Sequence, residues 1–241
     1  MKIKRALKYM LFLLTVVGLG FLYSFSSARN QQKKVSEIIV EFEEGENQFL
    51  SHPMVNKLLI QNKITVKNQA KSVIDLYGLE NKVFKNPYVE KASVFLTIDG
   101  TLKSIVKQRT PVARIISKTD SYYIDKQGVQ VPLTDNYSAR VLLVSGIDEQ
   151  DDFKEILPLL AVISEDDFLR KEIVSIEKLN IDTYQFSARS GNHKINFGNL
   201  TGLDVKFRKL KAFYKKPFLD KTIPTYKTIN VMYHHQVVCS K

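Results

Sequence analysis

The feature that most constrains this chain is a run of uncharged residues from Tyr9 to Ala28, near the start of the sequence. At a helical rise of about 1.5 Å per residue, a run of this length spans the ~30 Å hydrocarbon core of a bilayer. Tyr9 and Tyr23 lie towards its two ends, where amphipathic rings favour the membrane interface. The sequence therefore predicts one transmembrane helix over residues 9–28, preceded by a short tail at residues 1–8.

A cleaved signal peptide is the alternative interpretation of this run. The stretch Ser26-Ser27-Ala28 is a passable cleavage site. However, the apolar run exceeds the ~7–15 residues that are usual for a signal peptide, so we expect the segment to be retained as an anchor. Basic residues in the preceding tail favour a cytoplasmic N-terminus, although Arg29, Lys33 and Lys34 after the run weaken that orientation. No other apolar run is long enough to cross, so the remaining residues are predicted to lie on one side of the membrane.

The net charge of +11 raises the question of nucleic-acid binding. Residues 1–34 and 203–241 each carry a net charge of +7, whereas the stretch between them carries −3. The basic character is therefore confined to two segments. Within 203–216, basic residues alternate with Leu203, Phe207, Leu210 and Tyr214 at helical spacing. We interpret this segment as a surface helix with an inward apolar stripe, and we predict no nucleic-acid partner.

The first half of the chain beyond the anchor has an α+β pattern. Predicted elements are a strand at 35–42, a helix from Ser51 through Ile60, a helix at 68–84 ended by Asn86-Pro87, and strands at 92–98 and 102–107. Asp99-Gly100 joins the last two strands, and this dipeptide between apolar strands is a strong hairpin signal. Two helices packed on one face of a three-stranded sheet account for this order.

The second half is rich in strands and contains fewer helices. We predict strands at 112–117, 122–124, 129–131, 140–144, 176–181, 183–188, 194–197 and 228–238, and helices at 151–163, 166–173 and 203–216. Residues 125–128 form a predicted turn, and Pro217 is expected to end the last helix. The segment 228–238 is predicted to be one long terminal strand.

Sequence motifs for catalysis or for metal binding are absent. Cys239 is the single cysteine, which we expect to lie buried in a strand, with intermolecular pairing as the alternative. The four histidines do not have the spacing of a metal site. Glycine-rich phosphate loops and nucleophile elbows are also missing from the sequence. We therefore predict no enzyme activity, no cofactor, no metal and no small-molecule substrate, with a membrane-anchored enzyme of unknown chemistry as a rival hypothesis.

Four stretches resemble the FtsQ/DivIB family of bacterial cell division proteins, in its Bacteroidota versions. Residues 86–94 (NPYVEKASV) are similar to the turn into the second strand of that family's POTRA module, and residues 108–114 (QRTPVAR) to its interdomain junction. Residues 122–128 (YYIDKQG) resemble the hairpin that opens the β domain, and Tyr226–Val238 resembles the terminal strand. The resemblance implies a POTRA-like domain at 35–109 and a β domain at 110–241.

The resemblance also implies a function. Similar proteins are non-catalytic scaffolds of the division septum in the inner membrane, with the C-terminal domain in the periplasm. They bind FtsB and FtsL through the C-terminal part of the β domain and connect early with late division proteins. A POTRA-bearing assembly or transport chaperone is the alternative function.

The terminal strand is the predicted partner-binding site. Tyr233 falls where the family has a tyrosine in its partner-binding strand, and a final strand at a sheet edge offers unpaired backbone groups to which a partner can add. Nearby cations at Lys215, Lys216 and Lys221 are placed to steer an acidic partner. The predicted binding residues are Ile229, Val231, Tyr233, Gln236, Val237 and Val238.

Overall fold

The computed structural model describes residues 2–43, 45, 49–61, 64–117, 120–147, 150–234 and 236–241. The chain divides into two compact units, the first ending at Gln108 and the second beginning at Arg109, with Phe49 assigned to the second. Both units combine helices with sheets, which confirms the predicted α+β class.

The first helix, α1, runs from Lys2 to Gln32 and contains a candidate membrane span at Lys8–Asn30. In the most apolar stretch of this span, no residue is buried by other described residues. A helix that exposes so many Leu and Phe side chains is unfavourable in water and favourable in lipid. Thr15 donates its hydroxyl to the carbonyl of Phe12 at 2.7 Å, so the hydroxyl has a partner within the helix itself.

The first unit continues with a three-stranded sheet and two helices. The elements are β1 (Glu37–Phe42), α2 (His52–Leu58), β2 (Ile60–Gln61), β3 (Ile64–Thr65), α3 (Leu76–Phe84), β4 (Val89–Leu96) and β5 (Thr101–Gln108). The strand order is β1-β5-β4, with β1 parallel to β5 and β4 antiparallel to it. Asp99-Gly100 forms the predicted hairpin turn, and Gly100 adopts the positive φ of 101° that this turn requires.

The helix predicted at 68–84 is shorter than expected, because α3 begins only at Leu76. Residues Lys71–Val73 form a 3-10 turn instead, and the carboxylate of Asp75 accepts the backbone N–H of Gly78 at 2.8 Å. This bond caps the helix and fixes its first turn at that point. Leu79 and Val83 of α3 then pack with Val55, Leu102 and Val106 in the core of the unit.

The second unit is built on one large mixed sheet. Its elements are β6 (Pro111–Ile116), β7 (Ser121–Asp125), β8 (Gln130–Pro132), β9 (Leu142–Ser145), α4 (Gln150–Glu165), α5 (Asp167–Glu172), β10 (Ile173–Asn180), β11 (Thr183–Ala188), β12 (Lys194–Gly198), α6 (Leu203–Leu219), β13 (Thr228–Asn230) and β14 (Val238–Ser240). The strand order is β14-β13-β12-β11-β10-β9-β6-β7-β8. In the described residues, β14 and β8 are therefore the two edges of this sheet.

The α6 helix confirms the predicted apolar stripe but extends past its predicted end. Phe207, Leu210 and Tyr214 are buried in the core of the second unit. Pro217 lies inside the last turn, and the helix ends two residues later at Leu219. A proline this close to the end removes one backbone donor without breaking a long stretch of helix.

The prediction of a single terminal strand at 228–238 is wrong. The segment forms β13, turns back, and pairs with itself as β14. Parallel pairing of β13 with β12 reaches Asn196↔Asn230, and Val231 N–H donates to the Asn196 carbonyl at 3.1 Å. Two residues later β12 reaches Gly198, whose φ of 72° is not extended, so β13 has no partner with which to continue. We name Thr228–Ser240 the terminal hairpin.

Candidate partner-binding site

The terminal hairpin places a short strand at the edge of the large sheet. Asn230 ends β13 because its side-chain oxygen accepts the N–H of Met232 at 2.9 Å, which is a local turn that competes with a continuing strand. β14 then pairs antiparallel with β13 through Thr228↔Ser240 and Asn230↔Val238. Among the described strands β14 has only this one neighbour, so its outer side is open to an added strand.

The hydrogen bonds between the parallel strands β12 and β13 indicate which backbone groups of β14 face away from the sheet. The carbonyl of Lys227 and the N–H of Val231 both bond to β12, at 2.9 and 3.1 Å. Since successive residues of a strand direct their backbone groups to opposite sides, Thr228 and Asn230 face β14. Their partners Ser240 and Val238 direct their backbone groups towards β13. We therefore expect the N–H and C=O of Cys239, which lies between them, to point away from the sheet. These are the groups that an added strand would pair with.

The six predicted binding residues do not share one surface. Ile229 and Val231 are fully buried in the core of the second unit, where they position the hairpin. Val237 is half-buried and packs against the same core. A partner can therefore reach the other three side chains, which are Tyr233 (49% exposed), Val238 (42% exposed) and Gln236 (exposed).

Lys209 of α6 fixes the turn of the hairpin. Its ammonium group donates to the carbonyl of Val231 at 2.8 Å and also to the carbonyl of Tyr233. A charged donor with two backbone acceptors holds the chain between β13 and Tyr233 in one conformation. Sequence reasoning assigned Lys209 to a solvated helix face, because nothing in its spacing indicates that the side chain reaches residues more than twenty positions away.

An open groove of about 370 Å³ lies beside the hairpin. Its lining consists of Gly198, Asn199, Thr201, Gly202, Val205, Lys206, Lys209, Met232 and His234. Met232 fits against Gly198 so closely that a Cβ at that glycine would lie 2.8 Å from the Met232 Cγ. Met232 is 47% exposed, and sequence reasoning did not include it in the site. The groove thus presents one apolar side chain of the hairpin next to basic residues of α6.

Lys206, a second basic residue that lines this groove, is also held in place by hydrogen bonds. Lys206 Nζ donates to the carbonyl and the side-chain oxygen of Asn199, at 2.7 and 2.8 Å, and lies 5.0 Å from the centre of the Phe197 ring. Burial, followed by the nearby charge of Lys209, lowers the pKa of Lys206. The loop between β12 and α6 is therefore tied to the helix that supports the hairpin.

Cys239 lies in β14 with its side chain half-buried, rather than fully buried as expected from the sequence. Burial raises the pKa of its thiol, so the neutral, less nucleophilic form is favoured. Its side chain packs against the core, on the opposite side of the strand from exposed Val238 and Ser240. The cysteine therefore contributes apolar packing to the edge strand.

A buried polar cluster attaches α6 to the sheet. His193 Nε2 and the Tyr214 hydroxyl are 2.5 Å apart, and both residues are 1% exposed. Glu172 accepts the hydroxyl of Ser190 in the same region. Burial lowers the pKa of His193, which favours its neutral form. In the part of the chain that the structure describes, no group of three or more His, Cys, Asp or Glu residues is placed to hold a metal ion.

The architecture defines a class of protein: an apolar N-terminal helix, a small three-stranded α+β unit, and a β-rich unit that ends in an edge hairpin. The FtsQ/DivIB, C-terminal related family matches residues 110–240, and the POTRA-like domain family matches residues 34–107. The chain belongs to the FtsQ/DivIB family. This membership supports a role in cell division.

A curated relative gives the same assignment. The chain is 27% identical over 180 residues to the cell division protein FtsQ of Geotalea daltonii (strain DSM 22248 / JCM 15807 / FRC-32). The aligned region covers 69% of this chain and 63% of the relative, so it spans somewhat less than two thirds of that protein's length. The terminal hairpin lies within residues 110–240, which match the FtsQ/DivIB, C-terminal related family.

Proposed function

We propose that this chain is a non-catalytic scaffold of the division septum, which bridges early and late division proteins by binding FtsB- and FtsL-like partners through its second unit. The observation that carries the proposal is the terminal hairpin, whose edge strand has an open side in a unit that matches the FtsQ/DivIB family. An extended partner segment adds to β14 as a further strand, main-chain bonds supply affinity, and Tyr233, Gln236 and Val238 supply specificity.

The charge around the hairpin favours an acidic partner segment. Residues 203–241 carry a net charge of +7, and Lys215 and Lys221 are exposed on and just after α6. Exposed cations of this kind raise the association rate of an acidic segment more than they raise its final affinity. Lys209 and Lys206 are held by carbonyl oxygens, so they shape the site, whereas the exposed lysines attract the partner.

Capture of partners from solubilised membranes tests the scaffold proposal. The tagged full-length chain should recover small single-span division proteins of the FtsB and FtsL type, and the Tyr233→Ala variant should recover clearly less of them. The alternative function, an assembly or transport chaperone, instead predicts outer-membrane or exported clients whose recovery does not depend on Tyr233. Recovery of such clients alone, by both proteins, would reject the scaffold proposal.

We further propose that the chain is a single-span type II protein of the inner membrane, with both units in the periplasm. The basic residues that precede the span favour this orientation. A reporter that is active only after export, fused after Lys241, should therefore be active. The same reporter fused ahead of Lys2 serves as the matched control and should be inactive. The reverse pattern would show that the orientation is wrong.

A further inference from the structure

A single lysine connects the end of the candidate span to the hairpin between β4 and β5. Lys71 Nζ donates to the carbonyls of Thr97 and Ile98, at 2.6 and 2.9 Å, and lies 3.4 Å from the side-chain oxygen of Asn30. Asn30 is the last residue of the candidate span. The Lys71 ammonium group therefore hydrogen-bonds both to the backbone at the tip of the β4–β5 hairpin and to the last residue of the span.

Backbone hydrogen bonds hold the same end of the unit together. Ser36 N–H donates to the Gly100 carbonyl, and Lys71 N–H donates to the Lys33 carbonyl, both at 2.9 Å. Val35 bonds in the same way to the loop before Lys71, through Asn68 and Gln69. The hairpin tip and the loop 66–71 therefore form the end of the first unit that lies next to the span.

The dimensions of a bilayer place this end among the lipid headgroups. The hydrocarbon core is about 30 Å thick and the bilayer with headgroups is about 40–45 Å, so a layer of several ångströms lies beyond each end of a span. Asn30 falls in this layer when the apolar run of α1 fills the core. The carbonyl of Ile98, connected to Asn30 through Lys71, then lies at a similar depth.

The side chains exposed at this end suit an interface between lipid and water. Ile98 at the hairpin tip is 82% exposed, which is unfavourable in water and favourable where its side chain enters the headgroup layer. At the same end of the unit, exposed basic residues follow the span at Arg29, Lys33 and Lys34, and Lys67 is exposed in the loop 66–71. Asp99, next to Ile98 in the turn, is an exposed acid. An apolar tip at an end of the unit that also carries exposed cations matches a membrane surface that contains anionic lipid.

We propose that the β4–β5 hairpin tip is a second membrane contact: Ile98 enters the headgroup layer, and Arg29, Lys33, Lys34 and Lys67 bind anionic headgroups. This proposal rests on the proposed membrane span. It assigns to the first unit a lipid-binding surface, which fixes the tilt of that unit on the membrane and is separate from the terminal hairpin of the second unit.

The absence of tryptophan from the sequence makes the test direct, because each single-Trp variant carries its own reporter. The full-length chain is reconstituted in nanodiscs that contain lipids brominated near the headgroup end of the acyl chain. Tyr23→Trp, near the exit of the span, is the positive control. Phe84→Trp is the matched control in the same unit: it is 51% exposed and is the last residue of α3, shortly before β4 begins at Val89. The eight residues of β4, which span roughly 25 Å, lie between that end of the strand and the hairpin tip.

The proposal predicts that Ile98→Trp emission is blue-shifted and quenched to an extent close to that of Tyr23→Trp, whereas Phe84→Trp emission is not quenched. Replacing phosphatidylglycerol with phosphatidylcholine in the nanodisc, or replacing Lys33 and Lys34 with glutamine, should reduce the quenching of Ile98→Trp and leave that of Tyr23→Trp unchanged.

Each contrary result has a distinct meaning. Quenching of Tyr23→Trp together with an unquenched Ile98→Trp would overturn the hairpin contact and leave the span intact. Quenching of Ile98→Trp that is equal in both lipids would overturn the assignment of anionic headgroups. An unquenched Tyr23→Trp would overturn the span itself, and with it the membrane anchor of the proposed function.

Discussion

Replacing Tyr233 with alanine in the full-length chain is expected to weaken binding of the partner's periplasmic segment by about 2 kcal/mol or more, which is roughly thirty-fold in affinity. Tyr233 is half exposed, and its backbone is held in place by Lys209, so its ring is presented to a partner without a large cost in conformational freedom. The fold should be unaffected, because the side chain contributes nothing to the buried core of the second unit.

A second variant tests the edge strand itself. Val238→Lys places a charge on the exposed face of β14, where natural edge strands use lysine to prevent strand addition. Affinity should fall by a similar factor. Val237 is not suitable for this test, because its half-buried side chain packs against the core and a lysine there would destabilise the unit.

Leu143→Lys is the matched control for Val238→Lys. Leu143 is 40% exposed, close to the 42% of Val238, but it lies on β9, which pairs with β6 on one side and with β10 on the other. No partner strand can add there, so this variant should bind with wild-type affinity. Circular dichroism establishes that each variant is folded, and titration gives the affinity. Full affinity of folded Tyr233→Ala and Val238→Lys would place the binding surface elsewhere.

Replacing Lys209 with methionine is expected to lower the free energy of unfolding of the second unit by roughly 2–4 kcal/mol. The change keeps a long apolar side chain but removes two charged hydrogen bonds, to the carbonyls of Val231 and Tyr233. The partly buried bond to Val231 contributes about 1.5–3 kcal/mol, and the solvent-exposed bond to Tyr233 contributes less. Amide hydrogen exchange should become faster at Met232, Tyr233 and His234, since the turn loses its fixed conformation. Partner affinity should fall as well, because the partner must then order the hairpin.

Lys215→Met provides the control on the same helix. Lys215 is exposed and six residues further along α6, so its replacement removes the same charge without touching the hairpin. Unfolding free energy and hydrogen exchange should remain at wild-type values, while the association rate with an acidic partner should fall slightly. If Lys209→Met and Lys215→Met behave alike, Lys209 acts only through its charge and does not hold the turn.

Elements specified by short-range patterns were predicted well from the sequence. The Asp99-Gly100 hairpin and the 125–128 turn form where expected, because each needs a glycine at positive φ and the flanking strands supply the pairing. The stripe of Phe207, Leu210 and Tyr214 is buried as its spacing predicts, because an apolar helix face must pack against a core.

Boundaries that depend on a capping bond or a neighbouring strand were not predicted. The start of α3 at Leu76 depends on the Asp75 carboxylate reaching Gly78 N–H, although the apolar pattern extends further back. The end of β13 depends on Asn230 bonding to Met232 N–H and on β12 turning away at Gly198. Alternating residues favour a strand but do not determine whether a neighbour is present to pair with it.

The sequence by itself determined that this chain has an apolar helix able to span a membrane, an α+β unit and a strand-rich unit, because helix length, periodicity and turn chemistry are local properties. The tertiary structure alone decided which residues the candidate site presents. Folding of 228–240 into a hairpin buries Ile229 and Val231, exposes Tyr233 and Val238, and brings Lys209 to two carbonyls that are distant in sequence. These outcomes depend on strand pairing and on side-chain reach between elements, which a linear pattern of residues does not encode.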